Sequence, residues 1–441
     1  MANPTSIPEV FGSSAPYAEP PWYFNNSSAY YSTSHHNLRE VVRKYVDYEL
    51  RDHACEWEEK GEVPMQVYKR HANLGYLVTL PPDKKYMGSA RLPGDVDPND
   101  WDEFHSLIVV DELSRIGYWG VCLCLGQVNA LACLVILRCG TEEQKMYYLR
   151  KVATGDIRLY YAVTEPNAGS DVANIQTTAR KEGSFYILDG IKKWVTGGIF
   201  AQFCVSAVRT GGKGRGGISL LIVPLNSPGI TMKRMENSGV KASGSTLIEF
   251  DSVRVPVRNL IGKENAGFAM MMSNFNQERL ILACAALRLS RVCSEDAYNH
   301  SIVRETFGQK LISHALIQAK ITQFGMDIEP AFSLLEQLTL TIKRARMHPA
   351  QEESIGGMTA LLKVVSMRTL ERCVREAQQI MGGIGYSRGR RGGRVEQISR
   401  DVRMLVIGGG SEEIMVGLAL RQHLRDLQSL KKRSMLVPTK L

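Results

Sequence analysis

The residues of this 441-residue chain best able to do chemistry fall in two short segments. In Tyr161-Ala-Val-Thr-Glu-Pro-Asn-Ala-Gly-Ser-Asp171, Thr164 and Ser170 offer hydroxyls, and Asn167 to Gly169 lets a ligand approach the backbone closely. An ordinary turn with an Asx cap accounts for the same residues equally well. Further on, Lys192-Lys193-Trp194-Val195-Thr196-Gly197-Gly198 sets an indole beside a hydroxyl and a glycine pair, a wall suited to a planar heterocycle. A lone tryptophan in a β segment is, however, more often core. Gly382-Gly383-Ile384-Gly385 carries little weight, because no predicted strand precedes it as a dinucleotide-binding turn requires. Cys122-Leu-Cys124 lacks the usual zinc spacing and has no complementary Cys or His pair, so a metal site is not expected. The nine cysteines read as reduced core thiols.

The elements that hold these segments follow from composition and periodicity. With 44% hydrophobic and 22% charged residues, the chain can bury a core, which excludes disorder, collagen and a disulfide miniprotein as descriptions of the whole. No apolar run approaches the roughly 18 residues of a membrane helix. The net charge of +9 is dispersed. Its densest cluster, Arg388 to Arg394, lacks interleaved aromatics, which argues against nucleic acid and for a solvated basic loop or contact with a ligand's phosphates. Residues 1–37 hold no Lys or Arg and read as a flexible arm, not an Arg-rich transit peptide. Helical spacing governs 38–157, where Val41, Val42, Tyr45 and Val46 recur at helical intervals. Short β-rich runs with glycine turns fill 158–262, long helical patterns fill 263–430, and 431–441 reads as a flexible tail.

Together the two segments resemble the flavin-binding segments of the acyl-CoA dehydrogenase family. Further motifs follow in that family's order: Arg304-Glu-Thr-Phe-Gly308, Gln379-Ile-Met-Gly-Gly383, Arg400-Asp401 and Ile407-Gly-Gly-Gly-Ser411. The resemblance covers most of the chain after the arm, and this many motifs in order make it highly specific. It implies an α+β fold with an N-terminal helical domain, a central β-barrel-like domain and a C-terminal four-helix bundle. It also implies FAD as cofactor and a homodimer or dimer of dimers. By position, Tyr161, Val163, Thr164, Trp194 and Thr196 resemble the residues around the isoalloxazine, and Ser170 a contact shared by flavin and substrate. Arg304 and the segment from Gln379 to Gly383 resemble the family's reach to a neighbour's FAD, where a guanidinium suits pyrophosphate. His314 matches an adenine contact and Ser411 the flavin site, while Ala315 stands where a glutamine is common.

The main departure concerns the base. In many members a glutamate directly precedes a Gly-Thr pair near the C-terminus, but the aligned residue here is Gly409, which cannot remove a proton. A branch including isovaleryl- and long-chain acyl-CoA dehydrogenases carries its glutamate at the place matching Glu278, with a small residue at the other. Both halves of that exchange occur here, which makes Glu278 the candidate base. The plainer alternative is a surface acid paired with a nearby arginine. Glu412 and Glu413 suit the start of a helix, where acids meet the dipole. The resemblance implies conversion of an acyl-CoA to the trans-2-enoyl-CoA, Glu278 taking the α-proton while the β-hydride passes to flavin N5. Gly409 would keep its backbone N–H for the thioester oxygen. Arg279 matches a contact to CoA, and Asn276 and Gly410 complete the implied substrate site.

The electron acceptor implied is an electron-transfer flavoprotein, or O2 if the chain is an acyl-CoA oxidase. A flavoprotein with a binding role and no dehydrogenation is the alternative from another class, favoured by Gly409 and the basic 388–394 segment. Thr439-Lys440-Leu441 resembles the Ser-Lys-Leu peroxisomal address. It points to peroxisomal fatty-acyl metabolism or to tailoring of an acyl precursor, with the cytoplasm as alternative and mitochondria disfavoured. Deleting this tripeptide should abolish peroxisomal import of a fluorescent fusion; unchanged import would sink the address.

Overall fold

Val42, Tyr45 and Val46 share the buried face of a helix, α1 (Thr33–Tyr45) and its continuation, whereas Val41 points outward. The computed structural model describes residues 11–24, 28–127, 129–347, 355–389 and 391–435. Among them, α1, α2 (Glu103–Ser114) and α3 (Asn129–Cys139) form the framework of the N-terminal helical region. Asp102 caps α2 by accepting from the Phe104 and His105 N–H groups. Its carboxylate also gathers His35 from α1, His105, and the Lys343 ammonium at 2.6 Å. Burial opposes ionisation of Asp102, but these three donors outweigh it and hold the carboxyl well below the usual range.

The central region is one continuous eight-stranded sheet, ordered β6-β7-β3-β2-β4-β5-β8, with β1 paired to β4. The strands used below are β1 (Leu159–Ala162), β2 (Thr178–Glu182), β3 (Phe185–Val195), β4 (Phe203–Arg209), β5 (Ile218–Pro224), β6 (Ile230–Arg234), β7 (Thr246–Pro256) and β8 (Leu260–Ile261). β1 runs parallel to β4, Tyr161 opposite Val205; β3 and β7 are antiparallel along their length. The apolar run Ile218 to Val223 is buried continuously, as expected of a strand covered on both faces.

Five long helices follow among the described residues: α4 (Gly267–Val303), α5 (Ala315–Met347), α6 (Ile355–Met381), α7 (Gly393–Ile407) and α8 (Glu412–Met435). The N- and C-terminal helical regions share one core, in which Phe104, Trp119, Leu287, Phe324 and Leu370 are buried together, while the sheet has separate clusters. Asp401 ties all three regions. One oxygen accepts from the Trp119 N–H at 3.0 Å, the other from the Val240 N–H at 2.7 Å and from Gln397. No helix of the described residues is long and apolar enough to cross a membrane.

Three expectations change. Residues 11–24 are not a flexible arm but a strap packed on α1 and α4, with Trp22 and Tyr23 buried. Glu19 is the reason: Arg43 holds its carboxylate with two bonds of 2.7 and 3.0 Å, and Arg288 of α4 adds a third at 2.8 Å. Arg288 also pairs with Asp111, Arg43 with Glu112, and Arg291 binds the Tyr17 and Glu19 carbonyls as well as Glu329. The tail does not begin at 431, because α8 continues to Met435; Thr439-Lys440-Leu441 lie outside the described residues. The basic segment does not extend through Arg394, which sits in α7 and pairs with Asp296 and Glu295 of α4.

Burial raises the Glu19 carboxyl, but Arg288 and Arg43 more than offset this and hold it at about 2. A depressed carboxylate stabilises the fold above its ordinary pKa of 4.5 and loses that contribution as pH falls toward 2. Glu19→Ala leaves two buried guanidinium groups each short of one carboxylate partner, Arg43 with Glu112 and Arg288 with Asp111 remaining, and should cost about 3 kcal/mol. A denaturation midpoint matching wild type would refute this account of the strap.

Candidate active site

The two chemically promising segments meet because β1 leads into one and β3 ends in the other. The Lys193 N–H donates to the Thr164 carbonyl at 2.9 Å. The fully buried Lys192 ammonium donates to the Val163 carbonyl at 3.0 Å and to Glu165 at 2.7 Å. Glu165 in turn accepts from the N–H groups of Gln176 and Thr177. The buried Lys192 and Glu165 charges thus both have hydrogen-bonded partners, and the segments are fixed relative to each other.

Trp194 is held in an unusual posture. Lys192 pairs with Ile248 and Val195 with Thr246, so two residues of β3 face one of β7 in a bulge. Within it Trp194 takes φ 57°, a left-handed conformation costing a non-glycine residue about 1 kcal/mol. The indole consequently stands 48% exposed rather than in the core. Such stored strain is typical of functional sites. Behind it Gly197 has φ 70°, and a Cβ there would lie 2.2 Å from the Tyr160 ring.

These residues fit FAD. The exposed indole provides a flat apolar surface, and the hydroxyls of Thr164, Ser170 and Thr196 make no hydrogen bond to any described residue. Gly169 leaves open space where a Cβ would stand. The buried Tyr161 hydroxyl likewise lacks a partner. Burial, then the nearby Glu278 carboxyl, push its pKa far above the usual value, so it remains a neutral donor.

Glu278 projects from α4 toward the loop between α7 and α8. A Cβ built on Gly409 would lie 3.7 Å from the Glu278 Cγ and Cδ atoms and 2.9 Å from Leu282 Cδ1. The carboxyl therefore borders the space that a side chain at Gly409 would enter. Gly409 has φ 70° and Gly410 φ 110°, so the loop itself favours glycine. Glu278 keeps partial exposure but is closely surrounded by protein. Burial raises its pKa to about 7, against the opposing pull of Arg279 and Lys363.

Arg279 is itself buried and donates to the Gly409 carbonyl at 3.1 Å and to Asn276 Oδ1 at 3.0 Å. The first bond braces the loop, and the second stays within α4. Ser411 follows the glycines at the start of α8, where its carbonyl accepts from the Met415 N–H. Glu412 opens α8 and is bound by Arg368.

The remaining expected residues lie elsewhere on the surface. Arg304 leads into a hairpin whose exposed tip is Phe307. His314 closes that hairpin through Thr306 and Gln309. Gln379 and Gly383 are exposed at the end of α6. No hydrogen bond or ion pair among the described residues joins either group to the Thr164–Trp194 face. Sequence reasoning passed over Lys363 of α6, whose buried ammonium donates to the carbonyls of Val406 and Gly410. The available signal was a lone cation within the apolar run from Ala360 to Val365.

Comparison with known proteins identifies the family. Residues 32–156, 161–253 and 265–424 match, in order, the N-terminal, middle and C-terminal domains of acyl-CoA dehydrogenase. Acyl-CoA dehydrogenase AFT10-1 of Alternaria alternata is 48% identical over 429 residues, covering 96% of this chain and 98% of that protein. The solved butyryl-CoA dehydrogenase of Megasphaera elsdenii is 27% identical with a TM-score of 0.80, covering 89% of this chain and 99% of its own. A chain from the structure described as the electron transferring flavoprotein of Acidaminococcus fermentans is 25% identical with a TM-score of 0.81, covering 90% and 100%. The chain belongs to the acyl-CoA dehydrogenase family of FAD-dependent oxidoreductases.

Proposed function

We propose that the chain catalyses α,β-dehydrogenation of an acyl-CoA thioester with Glu278 as the base. The observation that carries this reading is the position of its carboxyl, whose Cδ lies 3.7 Å from where a Cβ of residue 409 would stand. A carboxylate on α4 can therefore serve the region that a glutamate on the loop would otherwise serve. A pKa near the working pH suits a base that must be ionised before reaction yet bind a proton readily during it. Bound FAD supplies the acceptor for the β-hydride. The Gly409 N–H survives the loss of a side chain and is the donor proposed for the thioester oxygen. Tyr161, neutral and unpartnered, adds a hydroxyl beside the base without competing for its proton. The proposed partner for reoxidation is an electron-transferring flavoprotein, a reading supported by the likeness to the A. fermentans structure.

Anaerobic flavin bleaching by short, branched and long acyl-CoAs tests the base. Glu278→Gln should retain FAD but bleach at least about 100-fold more slowly; equal rates would remove Glu278 from the mechanism. In wild type the rate should rise as pH passes about 7, where Glu278 becomes ionised; a flat profile would contradict this.

The same carboxyl predicts a stability effect of opposite sense. Between its ordinary 4.5 and about 7 the folded protein retains a proton that the unfolded chain has lost, so stability falls as pH rises through this window. Glu278→Gln should abolish this loss and melt higher than wild type at pH 8. A lower melting temperature for the variant would show that the carboxylate stabilises the fold.

A further inference from the structure

Lys363 is a cation on a helix face that is otherwise core, with only 1% of its surface exposed. Its ammonium donates at 2.5 Å to the Val406 carbonyl and at 2.6 Å to the Gly410 carbonyl. These acceptors bracket Ile407, Gly408 and Gly409, so one group closes the loop across its whole span. Arg279 grips the same loop through the Gly409 carbonyl. A glycine loop left untethered has many backbone conformations available, and holding Gly409 and Gly410 at φ 70° and 110° needs such external constraint.

The same ammonium interacts electrostatically with Glu278. Other charged or titratable groups nearby are Arg279 on the base's own helix, Tyr161 on β1, and Glu412 on α8. Tyr161 stays neutral, and Glu412 is bound by Arg368. Lys363 and Arg279 are thus the cations facing the carboxyl from the two helices that flank it. Burial draws the Lys363 ammonium down to about 8, although Glu278 pulls the other way. Two carbonyls compensate a buried cation incompletely, so stability alone is a poor reason for placing lysine here.

We infer that Lys363 is a positioning residue for proton abstraction, fixing the glycine loop beside the base and supplying a positive charge that favours the carboxylate form of Glu278. This rests on Glu278 being the base. Its two actions reinforce each other: the loop backbone keeps one geometry while the neighbouring carboxyl remains able to ionise.

The test compares FAD-loaded wild type, Lys363→Met, Lys363→Arg and Glu278→Gln by anaerobic bleaching with butyryl-, isovaleryl- and palmitoyl-CoA across pH. Lys363→Met should move the apparent pKa of bleaching upward by about one unit, as expected on losing an opposite charge nearby. Its maximum rate should fall roughly 10- to 100-fold through loss of loop geometry. Lys363→Arg keeps the charge and should restore the pH profile. If Lys363→Met does not fold, Lys363→Gln carries the same prediction for the profile. An unshifted profile in the uncharged variant, or no restoration by arginine, beside an inactive Glu278→Gln overturns this inference alone. A fully active Glu278→Gln overturns the base assignment and this inference with it.

Discussion

The shared carboxylate of Glu19, held between Arg43 and Arg288, is the constraint on which the helical part of the molecule depends. Each of these groups alone would be costly to bury. Linked to Glu112 and Asp111, they form a network in which every charge has an opposite neighbour. The network joins the strap, α1, α2 and α4 at one point, so the direction of α4 follows from it. Glu278 lies upstream on the same helix. The placement of the proposed base therefore depends on an ionic junction in which it takes no part.

Upstream on α4, at Glu278, the electrostatic logic is reversed. The strap's carboxylate is ionised firmly, because both of its oxygens accept from arginines. Glu278 has cations near it but no hydrogen-bonded partner among the described residues, and burial dominates its titration. One helix thus carries a fixed charge where structure is needed and an adjustable one at the proposed base. Trp194 follows a parallel division on the sheet: Lys192 and Glu165 secure the backbone, and the strained bulge presents the aromatic surface.

Residue type and spacing made the flavin segments legible, since each is contiguous and its polar groups lie within a few positions of one another. The proximity of Glu278 to Gly409 was suggested only through resemblance, because neither residue announces the other's presence. The strap was not legible at all. Its composition is that of a loose arm, and the partners of Glu19 lie on helices remote in sequence. Arg394 read as part of a basic loop for the same reason: Asp296, which neutralises it, is on α4. Trp194 reversed the usual expectation for an indole because a two-for-one register shift, invisible in local composition, turns it outward. Lys363 was hidden within an apolar run, where one cation scarcely disturbs a helical pattern.

Glu19 and Arg288 are 269 residues apart, and this separation bears on how the protein is made. During synthesis the N-terminal helices emerge first, but the strap's carboxylate cannot find its α4 partner until most of the chain has left the ribosome. Arg43 can meet Glu19 early, leaving the junction half-built. The helical core spanning both ends of the sequence then closes late, after the intervening sheet has had time to form. Completion of this junction is thereby tied to synthesis of α4, and a product truncated before Arg288 would leave the Glu19 carboxylate with Arg43 but without its α4 partner.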